Sequence, residues 1–245
     1  MPRRKEQFVT GEIYHIVIRA IDNNLIFKDL NDYYRGIFSI YEFNNAIPVN
    51  IFNRRLARTA EKKKEKFCEL GAHKILVEDA RDKFIKVLAF CFMPNHVHLL
   101  TKQIKDGGIS KFMQKVGGGY GGYFNRKYQR KGHVFQNEFK SVHVDTDNQL
   151  IATASYIFTN PIALIEPSWK EKGIQKHSVK EVSKFLEDYK WSSYQDCIGV
   201  KNFPSVTERE FLLETMGGIN GLNGVVKDWI EHKKDIAKYT DLFLE

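Results

Sequence analysis

Long apolar runs are missing from this 245-residue chain. No stretch approaches the roughly 20 consecutive apolar residues that a spanning helix needs, so no membrane partner is expected. The start, MPRRKEQF, is basic but lacks the apolar core of a secretory signal. Cysteine is scarce: Cys68, Cys91 and Cys197 stand far apart. That excludes a disulfide framework or a cysteine-built zinc cluster, and it fits a reducing cytoplasm. Internal repeats and low-complexity tracts are absent as well. Carboxylates are outnumbered, 30 Asp and Glu against 38 Lys and Arg, for a net charge of +8. A basic balance says little about fold and more about partners, which should be anionic.

What is present is aromatic and basic, with 18 Phe and 11 Tyr to fill a core. The positive charge falls into three clusters: Arg3, Arg4 and Lys5; Arg54, Arg55, Arg58 and Lys62 to Lys64; and Arg126, Lys127, Arg130 and Lys131. The third is interleaved with Tyr120, Tyr123, Phe124 and Tyr128. Cations that track phosphates, mixed with rings that stack on bases, suggest a nucleic-acid surface.

The run KVLAFCFMPNHVHLLTK over 86–102 puts His96 and His98 on an apolar, strand-like segment. Side chains alternate faces along a strand, so both imidazoles point one way and Val97 the other. Such a pair supplies two ligands of a metal site, and it does not by itself choose between zinc and manganese.

The patterns predict strands over 12–20, 84–92 and 96–101, and a strand pair over 133–144. They predict helices over 32–44, from a cap at Ser110, from 145–147 to Asn160, and over 179–189, 208–216 and 223–234. The glycines at 117–119, 121 and 122 argue for a soft helix there. A charged helix is expected over 53–70, within a basic insertion spanning about 45–83. The order suggests an α+β, ferredoxin-like sandwich with a central antiparallel sheet over 1–168, followed by a C-terminal helical extension over 169–245.

Two histidines leave a metal short of a third protein ligand. Residues four apart on a helix share a face, so Tyr156 and Asn160 in SYIFTNPI project together. Asn160 then offers a carbonyl oxygen and Tyr156 a phenol one turn away. A phenol becomes a useful nucleophile when a metal polarises its electrophile. A phosphodiester suits both the metal and the basic surface.

PNHVHLL, the segment GGYFNRKYQRKGHVFQNEFKS, SYIFTNPI and the later WSSY together resemble the IS200-type single-tyrosine (HUH) transposases. The resemblance is closest to their chromosomal relatives, the repetitive-extragenic-palindrome (REP)-associated tyrosine transposases, and covers 8–200. It implies that His96, His98 and Asn160 hold Mg²⁺ or Mn²⁺. It also implies that Tyr156 attacks single-stranded DNA beside a hairpin, forming a 5′-phosphotyrosine. Arg126, Lys127, Arg130 and Lys131 would track phosphates, Tyr123 and Phe124 would stack on unpaired bases, and Arg3, Arg4, Arg54 and Arg55 would add to the grip. The implied protein is cytoplasmic and nucleoid-associated, with monomer and homodimer both open. The chain departs from the family in its long basic 45–83 segment and its extra helix glycines.

Two other functions compete. A domesticated relative would bind hairpins without cutting, although it has little use for His96, His98 and Tyr156 together. A zinc hydrolase would want a carboxylate base such as the Glu of H-E-x-x-H, and the motif has none.

Overall fold

The computed structural model describes residues 7–49, 56, 79 and 81–232. The charged 53–70 helix therefore lies largely outside the described residues, as do Cys68, Arg3, Arg4, Arg54 and Arg55. The first layer is a four-stranded antiparallel sheet of β1 (Ile13–Arg19), β2 (Ile85–Met93), β3 (His96–Gln103) and β4 (Lys140–Val144). Its order is β2-β3-β1-β4. Helices α1 (Leu30–Glu42) and α2 (Gly108–Lys127) interrupt the strands, and α3 (Asp147–Thr159) follows β4. With β1 and β3 in the centre, this is the split-βαβ arrangement expected of a ferredoxin-like α+β fold.

Strand alternation sorts the core into two layers. Ile16, Ile18, Val97 and Leu99 face α1 and α2, where they meet Ile37, Ile40, Phe112, Val116 and Tyr120. Leu100 faces the other way, toward Tyr156, Ile157 and Phe158 of α3. A register shift between Val87 and Ala89 changes the phase of β2. Val87 therefore lies in the first layer, while Ala89, Cys91 and Met93 lie in the second.

Several sequence expectations need correction. Asp29 caps α1, and Asp32 completes the capping box three residues on. The α2 helix starts behind Gly107, in a left-handed conformation, so Ser110 is inside the helix and does not cap it. Its glycines do not break it. At Gly119 a Cβ would overlap the Phe43 ring, so the missing side chain lets the chain after α1 press against α2. The predicted strand pair over 133–144 is the single strand β4, with Phe135 making only an isolated bridge to Ala20.

Past Pro161 the chain forms short helices: Trp169–Lys172, Val179–Asp188, Tyr194–Cys197, Glu210–Thr215 and Gly218–Glu231. Trp169, Val182, Leu186, Leu222, Val226 and Trp229 join the core layer built around α3. The WSSY segment caps the open edge of β2. The Phe92 amide donates to the Trp191 carbonyl (2.8 Å), and the Ser193 amide donates to the Phe90 carbonyl (3.0 Å). Covering an edge strand in this way prevents unwanted pairing. No helix of the described residues is long and apolar enough to cross a membrane.

Candidate functional site

The register aligns His98 with Val17 of β1 and Cys91 of β2, and His96 with Arg19 and Met93. Both histidines point away from α1 and α2, into the layer beneath α3. The His96 and His98 ring centroids are 4.8 Å apart, and the Tyr156 ring sits edge-on to His98 at 5.5 Å. A Thr146–Gln149 capping box fixes the start of α3, and Tyr156 lies in its last turn. Asn160 follows as the helix tightens into a 3₁₀ turn with Pro161 in its first positions, the boundary the proline predicts.

The hydrogen bonds place the His96 proton on Nδ1 and are compatible with the same tautomer at His98. The Asn95 side-chain amide donates to the Asn23 carbonyl at 3.4 Å, leaving its Oδ1 to accept from His96 Nδ1 at 2.6 Å. His98 Nδ1 lies 3.0 Å from His15 Nε2. With His98 protonated at Nδ1, His15 accepts that bond. Each motif histidine then presents Nε2 as a lone pair. Both Nε2 atoms are buried without a hydrogen-bond partner, and so are Oδ1 and Nδ2 of Asn160. Asn160 lies close enough to act on both His96 and Tyr156, yet meets hydrogen-bond geometry with neither.

Unpartnered buried polar atoms are costly, about 1–3 kcal/mol each, and demand an explanation. Two imidazole lone pairs and one amide oxygen form the donor set of a divalent cation with open positions, which Mn²⁺ or Mg²⁺ would suit. The three sequence-predicted ligands therefore fit such an ion. The His, Asp and Glu triads with metal-like spacing among the described residues lie elsewhere. They are Glu12–His143–Asp145 and Asp228–Glu231–His232, all partly or fully exposed, and neither contains a predicted ligand.

Burial, reinforced by the charges of Arg19 and Lys170, pushes His96 down to about 3. His98 is driven well below its ordinary value by burial, then by His96, His15, Lys170 and Arg19. Both are neutral near pH 7, as metal ligands must be. Burial raises the Tyr156 phenol above its usual value, with Asn160 and Arg19 only partly offsetting it. The resting nucleophile is a neutral phenol.

The predicted DNA-contact residues separate. Arg126, Arg130 and Lys131 are exposed beyond and at the end of α2. Lys127 is engaged: its ammonium pairs with Asp29 (2.7 Å) and Asp32 (2.6 Å). The Tyr123 hydroxyl donates to Asp32 Oδ1 at 3.0 Å, so only part of that ring is available. Phe124 is 1% exposed, beneath Tyr128 and Lys28, and cannot stack on a base without unpacking the core. That assignment is corrected. His15 is a site residue that the sequence motifs do not single out. Strand parity put it on the face of Arg19, but only the β1–β3 register brings it to His98.

The family model described as "Transposase IS200 like" matches residues 45–160, a span that contains His96, His98 and Tyr156 and ends on Asn160. No curated protein matches the chain. A solved structure of a REP-associated tyrosine transposase bound to a REP hairpin aligns with 83% of this chain and 90% of its own. Its identity is 13% and its TM-score 0.45.

Proposed function

We propose that this IS200-like transposase relative cleaves and rejoins single-stranded DNA through a covalent 5′-phosphotyrosine on Tyr156. The observation that carries the reading is the set of unpartnered polar atoms on His96, His98 and Asn160 beside a buried tyrosine. A divalent cation held by those three residues, Mg²⁺ or Mn²⁺, would polarise a nonbridging oxygen of the scissile phosphate. Every other element belongs to the chain. Tyr156 Oη attacks phosphorus, the Oη–P bond forms and the P–O3′ bond breaks. The phenol proton passes to solvent and the departing 3′ oxygen takes one up, so no net proton is consumed. The reverse step lets a 3′ hydroxyl attack the phosphotyrosine and regenerate the phenol. The phosphodiester energy is kept in the phosphotyrosine, and no nucleotide cofactor is needed.

His15 and Asn95 hold the two imidazoles in the tautomer that leaves Nε2 free, a supporting role that metal-binding histidines commonly need. Exposed Arg126, Arg130 and Lys131 suit the backbone of a hairpin stem or its flank, where phosphate contacts position the DNA without reading sequence.

The test incubates the protein with hairpin-bearing single-stranded oligonucleotides from the flanks of its own gene, with Mn²⁺, Mg²⁺ or chelator, followed by denaturing electrophoresis. A metal-dependent protein–DNA adduct that is absent from Tyr156→Phe supports the reading. Tight hairpin binding with no adduct in either metal transfers the assignment to a non-cutting DNA-binding protein.

A further inference from the structure

A cation reaches the site from the end of a central strand. Arg19 is the last residue of β1 and lies directly opposite His96 in the β1–β3 register. Side chains alternate along β1, so Arg19 shares a face with His15, whose ring meets those of His98 and Tyr156. Directly opposed residues of an antiparallel pair bring their Cβ atoms to about 5 Å. The strand end is tied on both sides. The Arg19 carbonyl accepts from the Gln136 amide (2.9 Å), and the Ala20 amide donates to the Asn95 carbonyl (2.9 Å). The Asn95 side chain in turn holds His96 Nδ1. Arg19 is therefore mounted on the same turn that orients the imidazole.

Its electrostatic reach agrees with that placement. Burial is the leading influence on His96, His98 and Tyr156, and the charge of Arg19 acts on all three. It disfavours the imidazolium forms and favours a phenolate, as a cation facing each of those groups must. Arg19 is also half-buried, so an incoming phosphate can meet it without unpacking the core. Among the described residues its guanidinium pairs with no carboxylate, whereas Arg81 is paired with Asp79 (2.6 Å) and Lys127 with Asp29 and Asp32. A guanidinium offers parallel N–H donors that match phosphate oxygens, and it keeps its charge when partly desolvated.

We propose that Arg19 is a further catalytic residue, whose guanidinium holds a nonbridging oxygen of the scissile phosphate while Tyr156 attacks. This rests on the tyrosine-nuclease reading above. Negative charge on the nonbridging oxygens grows as the Tyr156 Oη–P bond forms and the P–O3′ bond breaks. A donor fixed in place beforehand stabilises that change most. Arg19 donates hydrogen bonds and gives up no proton, so the balance of the step is unchanged. The residue stands before the 45–160 segment that the family model matches, so the first strand contributes to the chemistry as well as to the sheet.

The test measures single-turnover adduct formation with Mn²⁺ at saturating DNA for wild type, Arg19→Met and Arg19→Lys, with thermal melting followed in parallel. Each protein is also given both diastereomers of a substrate carrying sulfur in place of one nonbridging oxygen at the scissile phosphate. Arg19→Met is expected to slow adduct formation by about 100- to 1,000-fold. Arg19→Lys keeps a charge without the planar fork and should recover part of that loss. The penalty for sulfur in one diastereomer should shrink in both variants. If Arg19→Met fails to fold, Arg19→Lys decides the matter by the same sulfur comparison. Overturning results are an Arg19→Met rate equal to wild type, or a slow rate with both sulfur penalties unchanged. The latter would mean that Arg19 only supports the strand end. Failure of the wild type to form any adduct would instead remove the nuclease reading beneath the proposal.

Discussion

Two buried polar clusters, one on each face of the sheet, are built to opposite rules. At the junction of α1 and α2, Asp32 is fully buried and fully answered. It accepts from the Lys28 amide (2.9 Å), the Tyr123 and Tyr128 hydroxyls (3.0 and 2.7 Å) and the Lys127 ammonium (2.6 Å). Burial pushes its carboxyl up, but those bonds outweigh it and hold the carboxyl below the ordinary range. On the other face of the sheet, His96, His98 and Asn160 are equally buried and leave four polar atoms unanswered. A closed cluster ties elements together, whereas an open one is held ready for something else. The difference separates architecture from chemistry without reference to any relative.

The sharpest way to break that contrast is kinetic. Tyr156→Phe should lower adduct formation by at least about a thousandfold, since no other group replaces the nucleophile. Tyr128→Phe, which touches only the closed cluster, should stay within a few-fold on the same gel assay. Comparable losses from both would erase the distinction.

Stability should separate the clusters in the opposite sense. Asp32→Leu strips the partner from Lys127 and two tyrosines, and should cost about 3 kcal/mol in urea unfolding. Lys127 can turn to solvent, which keeps the loss at the low end for a broken buried pair. Asn160→Leu removes two unanswered polar atoms with little change of volume. In metal-free protein it should be neutral or stabilising by about 1 kcal/mol, while abolishing function. Destabilisation by Asn160→Leu would mean that its side chain is already satisfied.

Acid should find the open cluster first. Burial lowers the folded-state values of His96 and His98, so below pH ~6.5 the unfolded chain takes up protons that the folded chain refuses. Stability is then complete above pH ~6.5 and falls as pH drops toward 3, by up to about 1.4 kcal/mol per pH unit for each histidine. Unfolding free energies at pH 7, 6 and 5 should show this slope, and replacing His98 with Gln should reduce it by about half, leaving the His96 contribution. A flat profile in wild type would show the imidazoles are not held neutral.

The smallest expected effect is a melting shift. Mn²⁺ at about ten times its dissociation constant should stabilise the protein by about 1.4 kcal/mol, or roughly 3–5 °C at this size. His96→Ala should abolish the shift. His15→Ala should require about 10- to 100-fold more metal, the usual consequence of removing a ligand's hydrogen-bond partner. No shift in wild type would leave the unanswered atoms without a cation.

Much of this was legible in the chain because local rules govern it. Period-two alternation put His96 and His98 together, and helical spacing put Tyr156 and Asn160 on one face. The order of elements led to the ferredoxin-like sandwich. What local rules could not supply was pairing across long separations. His15 is 83 positions from His98 and meets it only through the β1–β3 register. Lys170 sits beyond the expected domain boundary and reaches Tyr156 because the chain folds back after Pro161. Tertiary context also overrode propensity. Five glycines looked like a weakness in α2, yet Gly119 is where Phe43 closes on the helix. Phe124 had the composition of a DNA-facing aromatic, and its burial comes from contacts with Tyr120 and Tyr128 that no linear pattern reveals.

The most direct measurement is to digest the metal-dependent adduct and locate the attached nucleotide by mass spectrometry. The account predicts one modified peptide, carrying a 5′-linked nucleotide on Tyr156. A nucleotide on Tyr123 or Tyr128, or none on any tyrosine, would contradict it.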